Sequence, residues 1–374
     1  MTQTLSIPIL GMACASHVGE KLSGIASPDA ISSRATDITS PFYALGDDTD
    51  RPERHFSILE SVIDRALVRS GLQPDEIEHI GLFMGSSSYD LRSSELSFQD
   101  QLETQANDPI PVNNAGNCRL SDWVGSRFNI CSDAFNINSA CTSSANALLL
   151  ARQMLNHGII KHALVIGIEL FNETTLCGFS GLQLLATERL SPFDKDRSGL
   201  LLGEGCAAVV VGSDDRDSRF WLAGSGASFD PHSITAANED GVSIAACLRS
   251  ALASSGVDAS KILAIKAQGS GSHTNDLAES RGLQAVFGAE IPPLTAIKPY
   301  IGHTLGACGV LELVLFCHAL ADDIIPGTLN FSSLDPDLMI APMTRDKQAD
   351  AGFYLLNTFG FGGNNTVLVV EKRH

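Results

Sequence analysis

Short β-branched runs recur along this chain between longer segments of helical period, and that alternation restricts it to an α/β architecture. The runs fall at residues 6–10, 79–84, 134–138, 163–168, 207–211, 262–266, 354–357 and 366–370. Several are continuously apolar rather than alternating, the pattern of strands covered on both faces. Segments of helical period lie at 55–70, 142–157, 240–255, 276–287 and 305–320. A mostly parallel sheet with helices on both sides is the expected result.

Segments 141–160 and 306–325 resemble each other weakly. Each is a small-residue turn followed by an apolar helix, then Ile159-Ile160 in one and Ile324-Ile325 in the other. This suggests a duplicated unit, with the polar stretch 213–218 as the connection and halves at 1–218 and 219–374. Of the 374 residues 44% are apolar and 18% charged, enough for a large core and too few charges for a disordered chain. The 43 acidic and 25 basic side chains give a net charge of −18, which argues against nucleic acid and against docking on anionic membranes. The nine cysteines are odd in number and irregularly spaced, with no CxxC pair, so neither a disulfide framework nor a zinc site is expected. Cys118, Cys131, Cys177, Cys206, Cys308 and Cys317 read as small buried hydrophobes. A reducing cytoplasm fits this usage. The absence of a basic residue before Lys21 argues against a secretory signal, and apolar stretches of about ten residues are too short to span a bilayer.

Four constellations carry chemistry. Asn138-Ser139-Ala140-Cys141-Thr142-Ser143 ends a strand and starts a helix. A cysteine there, with small neighbours exposing its sulfur and the helix N-terminus favouring its thiolate, is a candidate nucleophile; it reads equally well as a small buried cysteine at a helix start. Lys298-Pro299-Tyr300-Ile301-Gly302-His303 precedes a helix that carries Glu312. A neutral His303 could donate to an oxyanion or cap the helix; Lys298 and Glu312 could be a buried ion pair or surface charges. Gln268-Gly269-Ser270-Gly271-Ser272 follows a strand, with Asp276 and Glu279 beyond. Such a loop could bind a polar chain, or be a turn with Asp276 as N-cap. Phe359-Gly360-Phe361-Gly362-Gly363 could bring a backbone N–H to an oxyanion, or be a glycine-rich hairpin.

In this order and combination the motifs resemble those of the β-ketoacyl-acyl-carrier-protein synthases, the elongating condensing enzymes. The resemblance runs from Ile9-Leu10-Gly11-Met12 with Gly19, through Ser191-Pro192-Phe193-Asp194 and Gly203-Glu204-Gly205, to the Phe-Gly-Phe-Gly-Gly loop. It implies a thiolase-like fold of two duplicated α/β halves in five layers (α-β-α-β-α), usually dimeric. It implies that Cys141 takes an acyl group from a carrier protein's phosphopantetheine arm, and that malonyl-carrier protein loses CO₂ and attacks that thioester. His303 would stabilise the enolate, with Lys298 and Glu312 supporting it. Phe359 would gate the site and give an oxyanion-hole N–H, next to Gly360 and Phe361. Ser270 and Ser272 would hydrogen-bond the pantetheine arm, with Asp276 and Glu279 supporting the loop. No metal or other cofactor is implied.

The family's third motif normally opens with histidine, where this chain has Gln268. An amide can donate a hydrogen bond but cannot take up a proton. Three functions are therefore compatible with the sequence: a working synthase of fatty acid or polyketide (aryl polyene included) biosynthesis; a noncatalytic or partly active chain-length-factor-like subunit paired with a ketosynthase paralogue; and an acyltransferase or hydrolase that uses Cys141 without decarboxylation. The negative charge favours the second weakly, because carrier proteins are acidic and usually dock on a basic patch.

Overall fold

The computed structural model describes residues 6–22, 31–32, 41–46, 49, 51, 53–104, 118–214 and 216–374. The elements that place the site are, in chain order, β1 (Ile7–Ser16), α1 (Arg54–Ser70), β2 (Gly81–Gly85), α2 (Cys118–Phe128), β3 (Ala134–Ile137), α3 (Ser143–Asn156), β4 (His162–Glu169), β5 (Gly205–Gly212), β6 (Phe220–Phe229), α4 (Val242–Ser255), β7 (Ile262–Lys266), α5 (His273–Phe287), β8 (Leu294–Thr295), α6 (Cys308–Ala321), β9 (Gly352–Phe359) and β10 (Asn364–Lys372).

These strands form one sheet of ten in the order β8-β7-β9-β10-β6-β1-β5-β4-β2-β3. Numbered within its own half, each set of five has the same order, 3-2-4-5-1, and the halves meet where Ile7 and Pro8 of β1 pair with Leu222 and Trp221 of β6. The duplication faint in the sequence is thus explicit in the topology. The sheet is mixed rather than mostly parallel. Four neighbouring pairs run parallel and five antiparallel. In the second half the cause is local: four residues join β9 to β10, and so short a link forces an antiparallel hairpin.

Between the two halves lie α3 and α6, packed on each other, while α1 covers the first half and α4 with α5 the second. This is the helix–sheet–helix–sheet–helix stack. In α6 every residue except His318 and Ala321 is buried, as expected of a helix apolar on all sides. The approach of α6 to α3 is close enough that a Cβ on Gly309 would lie 2.4 Å from the amide nitrogen of Ala145.

Strand β6 is absent from the sequence reading because Ala223-Gly224-Ser225-Gly226-Ala227 lacks the β-branched bulk that signals a strand. Its glycines serve packing instead. A Cβ on Gly226 would sit 2.4 Å from the carbonyl oxygen of Cys247 in α4, and one on Gly11 of β1 would sit 2.2 Å from that of Ala66 in α1. The first strand of each half thus lets an outer helix ride on its backbone. All nine cysteines are free, and Cys118, Cys131 and Cys177 are exposed rather than buried. They lie on or beside surface helices, where a small side chain is tolerated without being enclosed.

Replacing Gly226 by valine should lower the urea unfolding midpoint with little change in m, a loss of about 1–3 kcal/mol from overpacking against α4. A wild-type midpoint would show that α4 is not held at this distance.

Candidate active site

The corner just before α3 places the cysteine. Ala140 adopts a left-handed conformation (φ 54°), unusual for a residue with a Cβ, and thereby turns the chain sharply between β3 and α3. Thr142 N–H and Oγ1 both donate to the carbonyl of Ser139, and Ser143 Oγ donates to that of Ala140, so the corner is hydrogen-bonded to itself. Because α3 and α6 cross at their N-terminal ends, Cys308 at the start of α6 donates its S–H to the carbonyl oxygen of Cys141 at 3.1 Å.

Cys141 is 4% exposed, not open as its small neighbours suggested. Burial pushes its thiol up to about 11, against the Phe361 N–H, its own N–H and the Lys298 ammonium, all of which favour the thiolate. Helix α3 starts at Ser143, two residues on, and its end does not offset the lost hydration. Cys141 is therefore a thiol at neutral pH.

Around the sulfur, the loop 360–363 closes on one side. A Cβ on Gly360 would lie 3.2 Å from the Cβ of Cys141, and the amide directed at the sulfur is that of Phe361. This corrects the expectation for Phe359, which ends β9 and is buried in the second half's core, its carbonyl turned to Gln268. The ring of Phe361 stacks on Phe179 with centroids 5.5 Å apart.

His303 is fixed at both ends of its backbone, its N–H donating to the carbonyl of Leu201 (2.6 Å) and its carbonyl accepting from Gly203 N–H (3.1 Å). Its ring Nδ1 accepts from the N–H of Leu305 at 3.1 Å, so the proton of a neutral ring sits on Nε2. Burial, with the Lys298 and Lys266 ammoniums, holds its pKa well below the usual histidine range. His303 is thus a neutral ring with its donor N–H on Nε2.

Lys298 and Glu312 form a buried ion pair, and Lys298 Nζ also donates to Gln268 Oε1 at 3.2 Å. Gln268 Nε2 donates to the carbonyl of Phe359 at 2.8 Å. With an ammonium on one side and a carbonyl on the other, the amide has only one workable orientation. The loop after β7 is held by carboxylates from α5: Glu279 accepts from the N–H groups of Gln268 (2.9 Å) and Gly269 (3.0 Å) and from Asn357 Nδ2 (2.8 Å), and Asp276 accepts from those of Phe193 (2.8 Å) and Gly271 (3.2 Å). Burial raises both, Asp276 to about 7. Asp276 lies inside the first turn; the N-cap of α5 is Ser272. Ser270 is buried with its hydroxyl toward Asp276 (3.5 Å), while Ser272 is half-buried.

Two charged residues at strand ends escaped the sequence reading. Lys266 ends β7 and reaches Glu312 Oε2 (2.5 Å) and the carbonyl of Asn357 (2.6 Å). Glu169 ends β4 and accepts from the N–H groups of Ser87 (2.9 Å) and Gly306 (2.9 Å), tying the His303 turn to the loop after β2. The available signal was a lone charge closing an apolar strand, where α/β sheets place their ligands. Among the described residues two clusters have metal-like composition, Cys14/Glu20/His318 and Glu76/His162/Asp214. In both, arginines already occupy the carboxylates: Arg65 and Arg69 on Glu20, Arg216 on Glu76 and Asp214.

The raised thiol has a direct consequence. Iodoacetamide alkylation of Cys141, followed by peptide mass spectrometry, should still climb about tenfold per pH unit above pH 9, because the thiolate fraction grows until about 11. A plateau at or below pH 9 would show that the site activates the free thiol.

The chain matches two family models, "Beta-ketoacyl synthase, N-terminal domain" over residues 48–216 and "Beta-ketoacyl synthase, C-terminal domain" over 220–332. A 3-oxoacyl-acyl-carrier-protein synthase 2 of Mycobacterium leprae is 29% identical over 245 residues, which cover 62% of this chain and 58% of that protein. The Coxiella burnetii protein of the same name is 29% identical over 270 residues, 67% of this chain and 65% of that one. The chain thus spans about three-fifths of the length of these curated relatives. The ishigamide ketosynthase/chain length factor superposes with a TM-score of 0.88 at 23% identity, covering 99% of each chain. A complex of the ketosynthase ApeO with its chain length factor ApeC from Xenorhabdus doucetiae gives 0.85 at 23% identity, covering 100% of this chain and 99% of that one. No helix among the described residues is long and apolar enough to cross a membrane. The two models together span most of the chain, and the chain belongs to the β-ketoacyl synthase family.

Proposed function

We propose that the chain is an acyltransferase of the condensing type, joining an acyl group held on Cys141 to a malonyl unit delivered by an acyl carrier protein. The observation that carries this reading is the pairing of Cys141, set on a strained corner with the Phe361 N–H at its sulfur, with a neutral His303 whose proton is on Nε2. In the first half-reaction the Cys141 sulfur attacks the acyl thioester carbonyl, and the phosphopantetheine thiol leaves with the proton. The N–H groups of Cys141 and Phe361 would hold the oxygen of the tetrahedral intermediate. In the second, malonyl-carrier protein loses CO₂, and His303 Nε2–H donates to the enolate oxygen. The enolate carbon attacks the acyl carbonyl, the C–S bond to Cys141 breaks, and a β-ketoacyl thioester forms on the carrier. Ser272, the more accessible of the two loop serines, would meet the pantetheine arm, and the aromatic stack of Phe179 with Phe361 would part to admit it. The phosphopantetheine belongs to the substrate, and this chemistry calls for no metal or nucleotide.

A specific observation favours a second reading. Gln268 stands where the family has histidine, and one of its two amide protons is already given to the carbonyl of Phe359. On this reading the chain is a noncatalytic or partly active, chain-length-factor-like member of a heterodimer with a ketosynthase paralogue; in one solved neighbour the ketosynthase ApeO is in complex with its chain length factor ApeC. The sheet has an open edge suited to such pairing: β3 is half-exposed along its length, with Phe135 38% exposed.

Incubation with acyl-carrier proteins of several chain lengths should add one acyl mass to the intact protein, and Cys141→Ser should abolish it. No acylation at any length, alone or with a co-expressed ketosynthase paralogue, would rule out the condensing reading. Labelled CO₂ released from malonyl-carrier protein by the chain alone supports the synthase; release only by the co-purified pair supports the heterodimer. Acylation followed by hydrolysis without CO₂ would make the chain a thioester transferase or hydrolase.

A further inference from the structure

The strand β7 reads Ile262-Leu263-Ala264-Ile265-Lys266, an apolar run that ends in a fully buried lysine. Gln268 follows Lys266 by two residues, just past the end of β7. Both enter the buried network of Lys298 and Glu312. Glu312 is shared: Lys298 holds Oε1 and Lys266 holds Oε2. Lys298 is shared in turn between Glu312 and Gln268 Oε1. Glu279, a second buried carboxylate that feels the Lys266 charge, makes its hydrogen bonds to two loop N–H groups and Asn357 Nδ2 instead. Two ammoniums therefore share one carboxylate by direct contact, one on each oxygen of Glu312.

We propose that Lys266 is a positioning residue for the condensation: by occupying one oxygen of Glu312 it leaves Lys298 free to hold the Gln268 carbonyl, so that the Gln268 amide keeps the orientation in which its remaining N–H serves the enolate oxygen together with His303. The inference rests on the condensing reading above. It also accounts for a glutamine at this place. An amide cannot gain charge by protonation, but one whose oxygen is held by an ammonium presents a fixed N–H donor without it. Without Lys266 both oxygens of Glu312 compete for Lys298, which has the stronger attraction to a carboxylate than to an amide oxygen. Gln268 then loses the contact that fixes it. Burial lowers the pKa of Lys266 and Glu312 opposes that shift, so charge and hydrogen bond depend on each other.

The variants that test this are Lys266→Met, which leaves Glu312 paired with Lys298, and Lys266→Gln, which also keeps a donor for the carbonyl of Asn357. In either, CO₂ release from malonyl-carrier protein should fall roughly tenfold to a hundredfold, while acylation of Cys141 by acyl-carrier protein keeps its wild-type rate. A generally loosened site would slow both half-reactions, and that outcome counts against the proposal. A crystal structure of Lys266→Gln should show Lys298 Nζ withdrawn from Gln268 Oε1. Wild-type decarboxylation in both variants, or an unchanged Lys298–Gln268 contact in the crystal, would overturn the role of Lys266. If the wild-type chain releases no CO₂ alone or with a paralogue, the condensing reading fails instead, and the crystal structure decides the positioning role on its own.

Discussion

The close crossing of the two central helices is the constraint on which the site depends. Gly309 of α6 lies against the backbone of Ala145 in α3, at a distance that admits no side chain. Each helix belongs to a different half of the duplicated fold, and each begins just after a loop that carries chemistry. Their contact therefore brings the Cys141 corner of the first half to the His303 turn of the second. The Cys308 thiol on the Cys141 carbonyl is a direct sign of that meeting. The loop 360–363 then arrives because β9 and β10 are a hairpin whose tip points to the same end.

Burial sets the electrostatics of the site more than any one charge does. It raises the Cys141 thiol to about 11 in spite of the Phe361 amide and the Lys298 ammonium, and it keeps His303 neutral with the help of the Lys298 and Lys266 ammoniums. Every ionised group placed there has a partner: Lys266 and Lys298 on Glu312, Glu279 on three N–H donors, Asp276 on backbone amides and Arg197. Such groups are costly to bury alone and tolerable only as a network. The chain is strongly acidic overall, yet its interior gathers two ammoniums around one glutamate. Net charge describes what the surface repels and says little about a site of this kind.

Much of this was legible in the linear chain. The apolar runs at 79–84, 163–168 and 207–211 are strands because a strand buried on both faces has no use for polar residues. Cys141, Lys298, His303 and Glu312 stood out because small residues, glycines and isolated polar groups interrupt apolar segments there. Strand β6 did not, since its glycines are selected by contact with a helix rather than by strand propensity. Phe359 and Phe361 were indistinguishable as neighbours in one loop; only the hairpin geometry turns the amide of Phe361 toward the sulfur and the carbonyl of Phe359 toward Gln268. Lys266 carried no motif at all.

The sequence by itself determined the class of fold, the repeat of a unit and the set of groups available for chemistry. Those follow from local pattern and composition, which act over a few residues. Tertiary structure alone decided the mixed direction of the sheet, the protonation of Cys141 and the contact of Lys266 with Gln268 through Glu312 and Lys298. These depend on how much water is excluded and on which side chains meet from segments tens of residues apart. Both are properties of packing, and no short stretch of the chain encodes either one.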